Sequence, residues 1–395
     1  MDGFGVGYTN DAFITRPQDV GANTCKHILE NSPELKLVNL EKLGLMNVLN
    51  FETHRMKKNS EATYGVSHLS HLGADTFYGH QEIMGTKTRK PIQLPFCKII
   101  DEVYLTLKKE GYHVEFRGDN LKYLLVNGCV TIADNIEADL GSAYNVTATL
   151  DLIDFESVVK IGRIVRSIAK VSRVIAFGGR DVPIEDILSA VEEKEAYIGI
   201  NAPKSGVYNK DYKVIHLGYG VSSEGQAPTI LGIAGIDVRL IGKVADIVEN
   251  ELGKSIPCVD TKETMQLALR EFISMDNGFL AVNVQETDLA GHAQDVRKYA
   301  EKLLVADKYI GDIIDYIKGE DLLVVMADHG NDPTIGHSHH TRENVPILIY
   351  GQNIKKGSIG YRTTMSDVGK TITAFFECTD CESGTSFLKD IYNFY

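Results

Sequence analysis

Leu322-Leu-Val-Val-Met-Ala327-Asp328-His329-Gly330-Asn331-Asp332 decides the fold class, because it joins an apolar run directly to a loop dense in possible ligands. A short continuous apolar run of this kind reads as a strand buried on both faces. The pattern also occurs upstream, where Phe279-Leu-Ala-Val-Asn-Val284 leads into Glu286-Thr-Asp288-Leu-Ala-Gly-His292. Between the two, Leu303, Leu304, Ile310, Ile313, Ile314 and Ile317 recur at helical spacing, and Gly319 supplies a stop. Asp237–Gly242 and Val345–Tyr350 read as further strands. Asp260, with Glu263 three residues on, reads as a capping box opening a helix that runs to about Met275. This alternation predicts an α/β protein with a mostly parallel sheet and helices on both faces. Functional groups then gather at the carboxyl ends of the strands.

The middle of the chain reads as a second α/β unit. Ile99, Ile100, Val103 and Leu107 mark one helix, and Val158, Ile161, Val165 and Ile168 another. Tyr123 to Ile132 is strand-like, as is Arg173 to Phe177. We therefore expect residues 91–214 to form an inserted domain, and residues 1–90 with 215–395 to form the core. A length of 395 residues suits two domains or a little more.

Composition narrows the function. Hydrophobic residues are 43% and charged residues 24%, which excludes a disordered or collagen-like chain. No apolar run approaches the roughly 18–20 residues of a membrane helix. The net charge of −13 is a poor basis for binding nucleic acid or an anionic membrane surface. A phosphorylated small molecule would have to be met by local positive charge or by metal ions. The six cysteines are dispersed and no signal peptide is present, so a reducing, cytoplasmic setting is expected. The sequence leaves the oligomeric state open.

Two strand ends carry the ligands. Asp288 and His292 follow the first, and Asp328, His329 and His340 follow the second. Of 12 histidines, five lie in these two segments, which dispersal would not produce. Mixed carboxylate and imidazole donors suit Mn²⁺, Zn²⁺ or iron. Two clusters on one sheet suit a pair of cations roughly 3.5–4 Å apart. His337 and His339 read as solvated neighbours of the true ligand. Asp2 stands almost at the chain end, an odd place for a purely structural aspartate. Asp75-Thr76 alone is an N-cap or turn pair, but beside two metals the Thr76 hydroxyl could become an alkoxide and take up a phosphoryl group.

In combination, these segments resemble the phosphopentomutase family of the alkaline phosphatase superfamily over nearly the whole chain. The resemblance rests on Asp75-Thr76-x-x-Gly79-His80-x-Glu82-Ile-Met-Gly85, and on Ala327-Asp-His-Gly-Asn-Asp-Pro333 with His340-Thr-Arg-Glu343 and Val345-Pro346. Asn39-Leu-x-x-Leu43-Gly44 and Gly384-Thr-Ser-Phe-Leu388 add to it. It implies an alkaline-phosphatase-type sheet core with an inserted α/β cap domain. It further implies that Asp2, Asp328 and His329 hold one metal, with Thr76 reaching towards it, and that Asp288, His292 and His340 hold the other. The family uses Mn²⁺, works through a phosphothreonine and is primed by a sugar bisphosphate.

Four departures accompany the resemblance. The family has a buried strand leading into its first Asp, and none precedes Asp2 here. This points to a start assigned at an internal Met or to a truncated chain, and predicts a sheet without its central member and an unanchored Asp2. Tyr78 stands where the family has Thr. Asp288-x-x-x-His292 is one residue shorter than expected and is similar to cofactor-independent phosphoglycerate mutases. The arginines of the cap are replaced by Lys204-Ser-Gly-Val-Tyr-Asn-Lys210-Asp-Tyr-Lys213, which lacks the bidentate fork of arginine. Lys243 at a strand end is a further candidate for a phosphate oxygen. The reading is a two-metal phosphomutase acting through phospho-Thr76. Its rivals are a metal-dependent phosphatase or phosphodiesterase, a phosphoglycerate-mutase-like enzyme, and a catalytically silent metal- or phosphosugar-binding protein.

Overall fold

The two apolar runs that precede the ligand loops are strands, but they belong to separate sheets. The computed structural model describes residues 1–137 and 140–392. These fall into two units, one built from Met1–Thr88 and the chain from Ser222 onward, the other from Arg89–Val221. In the first unit the strands are β1 (Thr63–Ser67), β2 (Asp237–Ile241), β3 (Lys254–Ile256), β4 (Gly278–Val282), β5 (Leu323–Met326), β6 (Val345–Tyr350) and β7 (Gly357–Arg362). They pair in the orders β3-β2-β4 and β5-β6-β1-β7. β2 is parallel to both its neighbours, and β1 is parallel to β7. Only β6 runs against its neighbours, β5 and β1. It follows β5 through the ligand loop alone, and such a return needs no crossover helix.

β4 and β5 are thus the outer strands of two sheets, and every residue of β4 is only half-buried. The start of the chain bridges them. The Met1 ammonium donates to Met326 O at 3.0 Å, and Asp2 N donates to Val284 O at 3.2 Å. The expected interruption of the sheet is therefore present, but the expected loose Asp2 is not. Its carbonyl accepts from Thr287 Oγ1 at 2.7 Å, and the next carbonyl, Gly3 O, accepts from Tyr299 OH at 2.9 Å. Tertiary hydrogen bonds hold the main chain around Asp2 in place.

Four helices position the site: α1 (Thr76–Ile83), α2 (Thr261–Ile273), α3 (Glu286–His292) and α4 (Val296–Ile314). Asp260 caps α2 by accepting from Glu263 N at 2.9 Å, as the sequence predicts. Asp295 caps α4 through Lys298 N. α4 buries Tyr299, Leu303, Ala306, Ile310, Ile313 and Ile314, spaced three, four and seven apart, in one cluster with Leu37, Leu40, Leu43, Leu45 and Met46. Each such aliphatic side chain contributes about 1.5–3 kcal/mol on burial.

The second unit has its own core around Phe96, Val126, Ile132, Tyr144, Val158 and Val174. Its helices Ile100–Lys109 and Phe155–Ile168 and its strand Arg173–Gly179 match the expected pattern. The single run expected at Tyr123–Ile132 is instead a hairpin of Tyr123–Val126 and Val130–Asp134. Asn127 and Gly128 turn it with φ of 48° and 69°, the left-handed pair that a tight hairpin needs. No described helix is long and apolar enough to cross a membrane.

Tyr299 is fully buried. Removing its hydroxyl leaves Gly3 O with Asn331 N as its remaining donor, at 2.8 Å, and costs about 0.5–1.5 kcal/mol. Tyr299→Phe should lower the thermal midpoint while preserving the far-ultraviolet circular dichroism. An unchanged midpoint would mean that the chain start is not held this way.

Candidate metal centre

β4 ends at Val282 and α3 begins at Glu286, so Asp288 and His292 face one another across a single helical turn. β5 ends at Met326, and the chain beyond it carries Asp328, His329 and, after a loop, His340. These meet Asp2 from the chain start. Asp2, Asp328 and His329 offer ligand atoms within 4.8 Å of one another, and so do Asp288, His329 and His340. His329 belongs to both groups and stands between them. His292 Nε2 lies 3.4 Å from Asp288 Oδ2, and His340 Nε2 lies 3.3 Å from Asp288 Oδ1. All six ligand candidates of the sequence therefore lie in one cluster.

The orientation of the three rings is set by their second nitrogens. Nδ1 donates to Ser338 O in His292, to Gly330 O in His329 and to Ala74 O in His340, at 2.6, 2.9 and 2.8 Å. A carbonyl is only an acceptor, so each Nδ1 carries hydrogen and each Nε2 faces the carboxylates, carrying hydrogen beside them or offering its lone pair to a cation. Both Asp2 oxygens and His329 Nε2 are buried without a hydrogen-bond partner. Buried polar atoms are normally satisfied. Orphans of this type, ringed by mixed oxygen and nitrogen donors, fit divalent cations.

The electrostatics agree. Burial works to raise Asp288 and Asp328, but the hydrogen bonds of His292 and His340 to the first, and the charges of His329 and His80 beside the second, hold both well below the usual carboxylate range. Burial would lower His329, yet the Asp328 carboxylate raises it well above its ordinary value. Burial, and then the charge of His329, lower His340. Lys243 Nζ stands 2.9 Å from Asp2 Oδ2 and 3.4 Å from Asp288 Oδ2, and against the effect of burial these two carboxylates raise it. The centre is an anionic pocket in search of positive charge.

Thr76 opens α1, capped by Asp75, which accepts from Tyr78 N at 3.1 Å. The N-cap reading of the Asp75-Thr76 pair therefore holds. The Thr76 hydroxyl, at a helix N-terminus, donates to Asp328 Oδ2 at 2.7 Å. His337 is not a ligand candidate, since its Nε2 lies 3.1 Å from Asp19 Oδ1. His339 is exposed. Lys204 and Lys210 lie in the second unit, exposed and paired with Glu192 and Asp181.

Several contributors carry no obvious signal in the sequence. Asn331 Nδ2 donates to Asp288 Oδ1 at 2.8 Å and so aims that carboxylate. Glu82 is fully buried and accepts from Ser70 N, His71 N, Met365 N and Thr364 Oγ1, tying the segment before Thr76 to residues 364–365. Burial would raise Glu82, but the His71 hydrogen bond and charge, with the bonds from Thr364 and Ser70 N, together outweigh it and bring the carboxyl down to about 2. Arg342 donates to Leu69 O, His71 O and Gly73 O, fixing the same segment from the ligand loop.

Comparison with known proteins adds a family. A family model described as the Metalloenzyme superfamily matches residues 1–380. A phosphopentomutase from Caldanaerobacter subterraneus is 29% identical over 408 residues, covering 99% of this chain and 96% of its own. One from Aliivibrio fischeri is 30% identical over 430 residues, covering 98% of each. One from Clostridium kluyveri is 28% identical over 402 residues, covering 100% of this chain and 98% of its own.

Gly79 decides how close Thr76 comes to Asp328. A Cβ there would lie 2.6 Å from Asp328 O, a backbone atom, and 3.1 Å from Asp328 Cβ. Gly79→Ala must push α1 and the ligand loop apart. Displacing groups that orient a ligand costs about 10–100-fold in metal affinity. Calorimetric titration with Mn²⁺ should show a loss of that size with the fold intact, and wild-type affinity would mean that the contact is slack.

Proposed function

We propose, from the fact that this chain belongs to the Metalloenzyme superfamily, that it is a two-metal phosphomutase moving a phosphoryl group within a sugar phosphate through phospho-Thr76. It is a phosphopentomutase-like metalloenzyme. The observation that carries the mechanism is the Thr76 hydroxyl, at hydrogen-bond distance from Asp328 inside a cluster whose three imidazole Nε2 atoms converge.

Asp2, Asp328 and His329 would hold one divalent cation, with Thr76 reaching towards it, and Asp288, His292 and His340 the other. Mn²⁺ suits this oxygen-rich, imidazole-containing set. When bound, the pair supplies neutralisation of the transferring phosphoryl group and favours the Thr76 oxyanion.

The chain's own residues define the rest. The N-terminal end of α1 offers its positive dipole end to a phosphate carried on Thr76. Asp328 Oδ2 gives the Thr76 Oγ1 proton an acceptor. Lys243, with three hydrogens and two carboxylate neighbours, retains donor capacity for a phosphate oxygen. Lys204 and Lys210 would meet a phosphate only by leaving Glu192 and Asp181, and exposed ion pairs of that kind are worth about 0–1 kcal/mol.

In the cycle, a hydroxyl oxygen of the bound sugar monophosphate attacks the phosphorus of phospho-Thr76, its proton passing to the freed Thr76 Oγ1 and returning to the departing sugar oxygen in the second transfer. The bond from phosphorus to Oγ1 breaks, and a bisphosphate forms. Thr76 Oγ1 then attacks the other phosphorus, and the isomeric monophosphate departs. A sugar bisphosphate would prime the enzyme. A cytoplasmic site fits the six free thiols.

The test is a panel of phosphorylated sugars, headed by a pentose phosphate, assayed with Mn²⁺ and a bisphosphate primer. Isomerisation is expected, with two cations per chain and one phosphate on the peptide containing Thr76. Thr76→Ala should abolish the phosphate and the isomerase activity while keeping both cations, and Thr76→Ser should retain part of the rate. An active Thr76→Ala variant, or release of inorganic phosphate without isomer, would overturn the mechanism.

A further inference from the structure

We infer that His80, oriented by Asn283, is a positioning residue that holds the Asp328 carboxylate and the Thr76 main chain in register for phosphoryl transfer; the inference rests on the phosphomutase reading above. His80 lies one turn after Thr76 on α1, and its side chain is buried. Nδ1 stands 2.9 Å from Thr76 O and 3.2 Å from Asp328 Oδ2, the oxygen that accepts the Thr76 hydroxyl at 2.7 Å. One ring nitrogen thus touches both the residue proposed to carry the phosphoryl group and the carboxylate it must face.

The other nitrogen fixes which tautomer does this. Both neighbours of Nδ1 are acceptors, so Nδ1 carries hydrogen. Nε2 faces Asn283 Nδ2 at 2.9 Å, a donor, so Nε2 carries the lone pair. Asn283 is itself fixed. It is buried, and its backbone N–H donates to Ile241 O at 2.9 Å, one residue beyond the end of β4. The strand that leads to Asp288 therefore also reads the ring on α1, and the ring passes that position on to Asp328. Outer partners of this kind fix a ligand's orientation rather than touching the reacting atoms. Gly79, beside His80, lets the helix come close enough for the contact.

The prediction follows from which nitrogen matters. The amide of Asn can place an N–H near the position of Nδ1, whereas that of Gln reaches the position of Nε2. With the Mn²⁺-loaded enzyme, His80→Ala and His80→Gln should lower kcat by about 10–100-fold with KM little changed. His80→Asn should recover much of that loss. All three should keep two cations per chain at saturating Mn²⁺ and a cooperative unfolding transition, with the midpoint lowered most in His80→Ala, where Asn283 Nδ2 loses its partner. Independently of turnover, ¹⁵N-histidine spectra of the Mg²⁺-loaded protein should show His80 with hydrogen on Nδ1, and Asn283→Leu should erase that signature. A wild-type kcat in His80→Ala, equal rates in His80→Gln and His80→Asn, or hydrogen on Nε2 would each overturn the inference. Wild-type protein without isomerase activity would overturn the phosphomutase reading instead, and the spectra would still decide the role of the ring.

Discussion

Asp2, Asp288 and Asp328 are almost completely buried around one histidine, and their mutual repulsion is the constraint to which the surrounding structure answers. Three like charges out of water are costly unless counter-charge is supplied. The protein supplies part of it with Lys243 and His329. The rest of the architecture keeps the carboxylates from moving apart. Asn331 holds Asp288, Gly3 N and Thr76 hold Asp328, and the main chain around Asp2 is tied to Thr287 and Tyr299. A cluster held together against its own repulsion is pre-organised for cations, and through them for a phosphoryl group.

Five of the six candidate ligands were legible because they follow the apolar runs of two strands, where imidazoles and carboxylates rarely crowd without a chemical reason, whereas Asp2 was named through the family resemblance. The capped helix at Asp260 was legible in the same local way, from its capping box. What escaped is what depends on distance. Nothing local says that β4 and β5 are the outer strands of two sheets, since strand order is set by pairing and not by composition. Asn283 looks like the polar end of a strand, and its role exists only once α1 is packed beside it. His80 sits in a quoted motif, yet its partners lie on segments more than two hundred residues away. The hairpin at Tyr123–Asp134 was hidden because Asn127-Gly128 interrupts an otherwise continuous apolar run, and the turn geometry outweighs the run.

The second unit is a separate problem in the same chain. It has its own core, its own mixed sheet, and basic residues that are already engaged at its surface. The expectation of loop lysines as phosphate ligands treated them as unpaired charges, but a lysine in a strongly acidic protein finds a carboxylate readily. Lys243 differs because it is half-buried and aimed at the centre by the end of β2.

The bond from Gly3 N to Asp328 spans 325 residues of chain. Synthesis therefore makes one side of the centre long before the other. Until the loop through His340 has left the ribosome, Asp2 has no partner ligands, so a nascent chain cannot use metal binding to drive its own early folding. Loading must follow assembly of the core, because β6, which follows that loop, pairs with both β5 and β1.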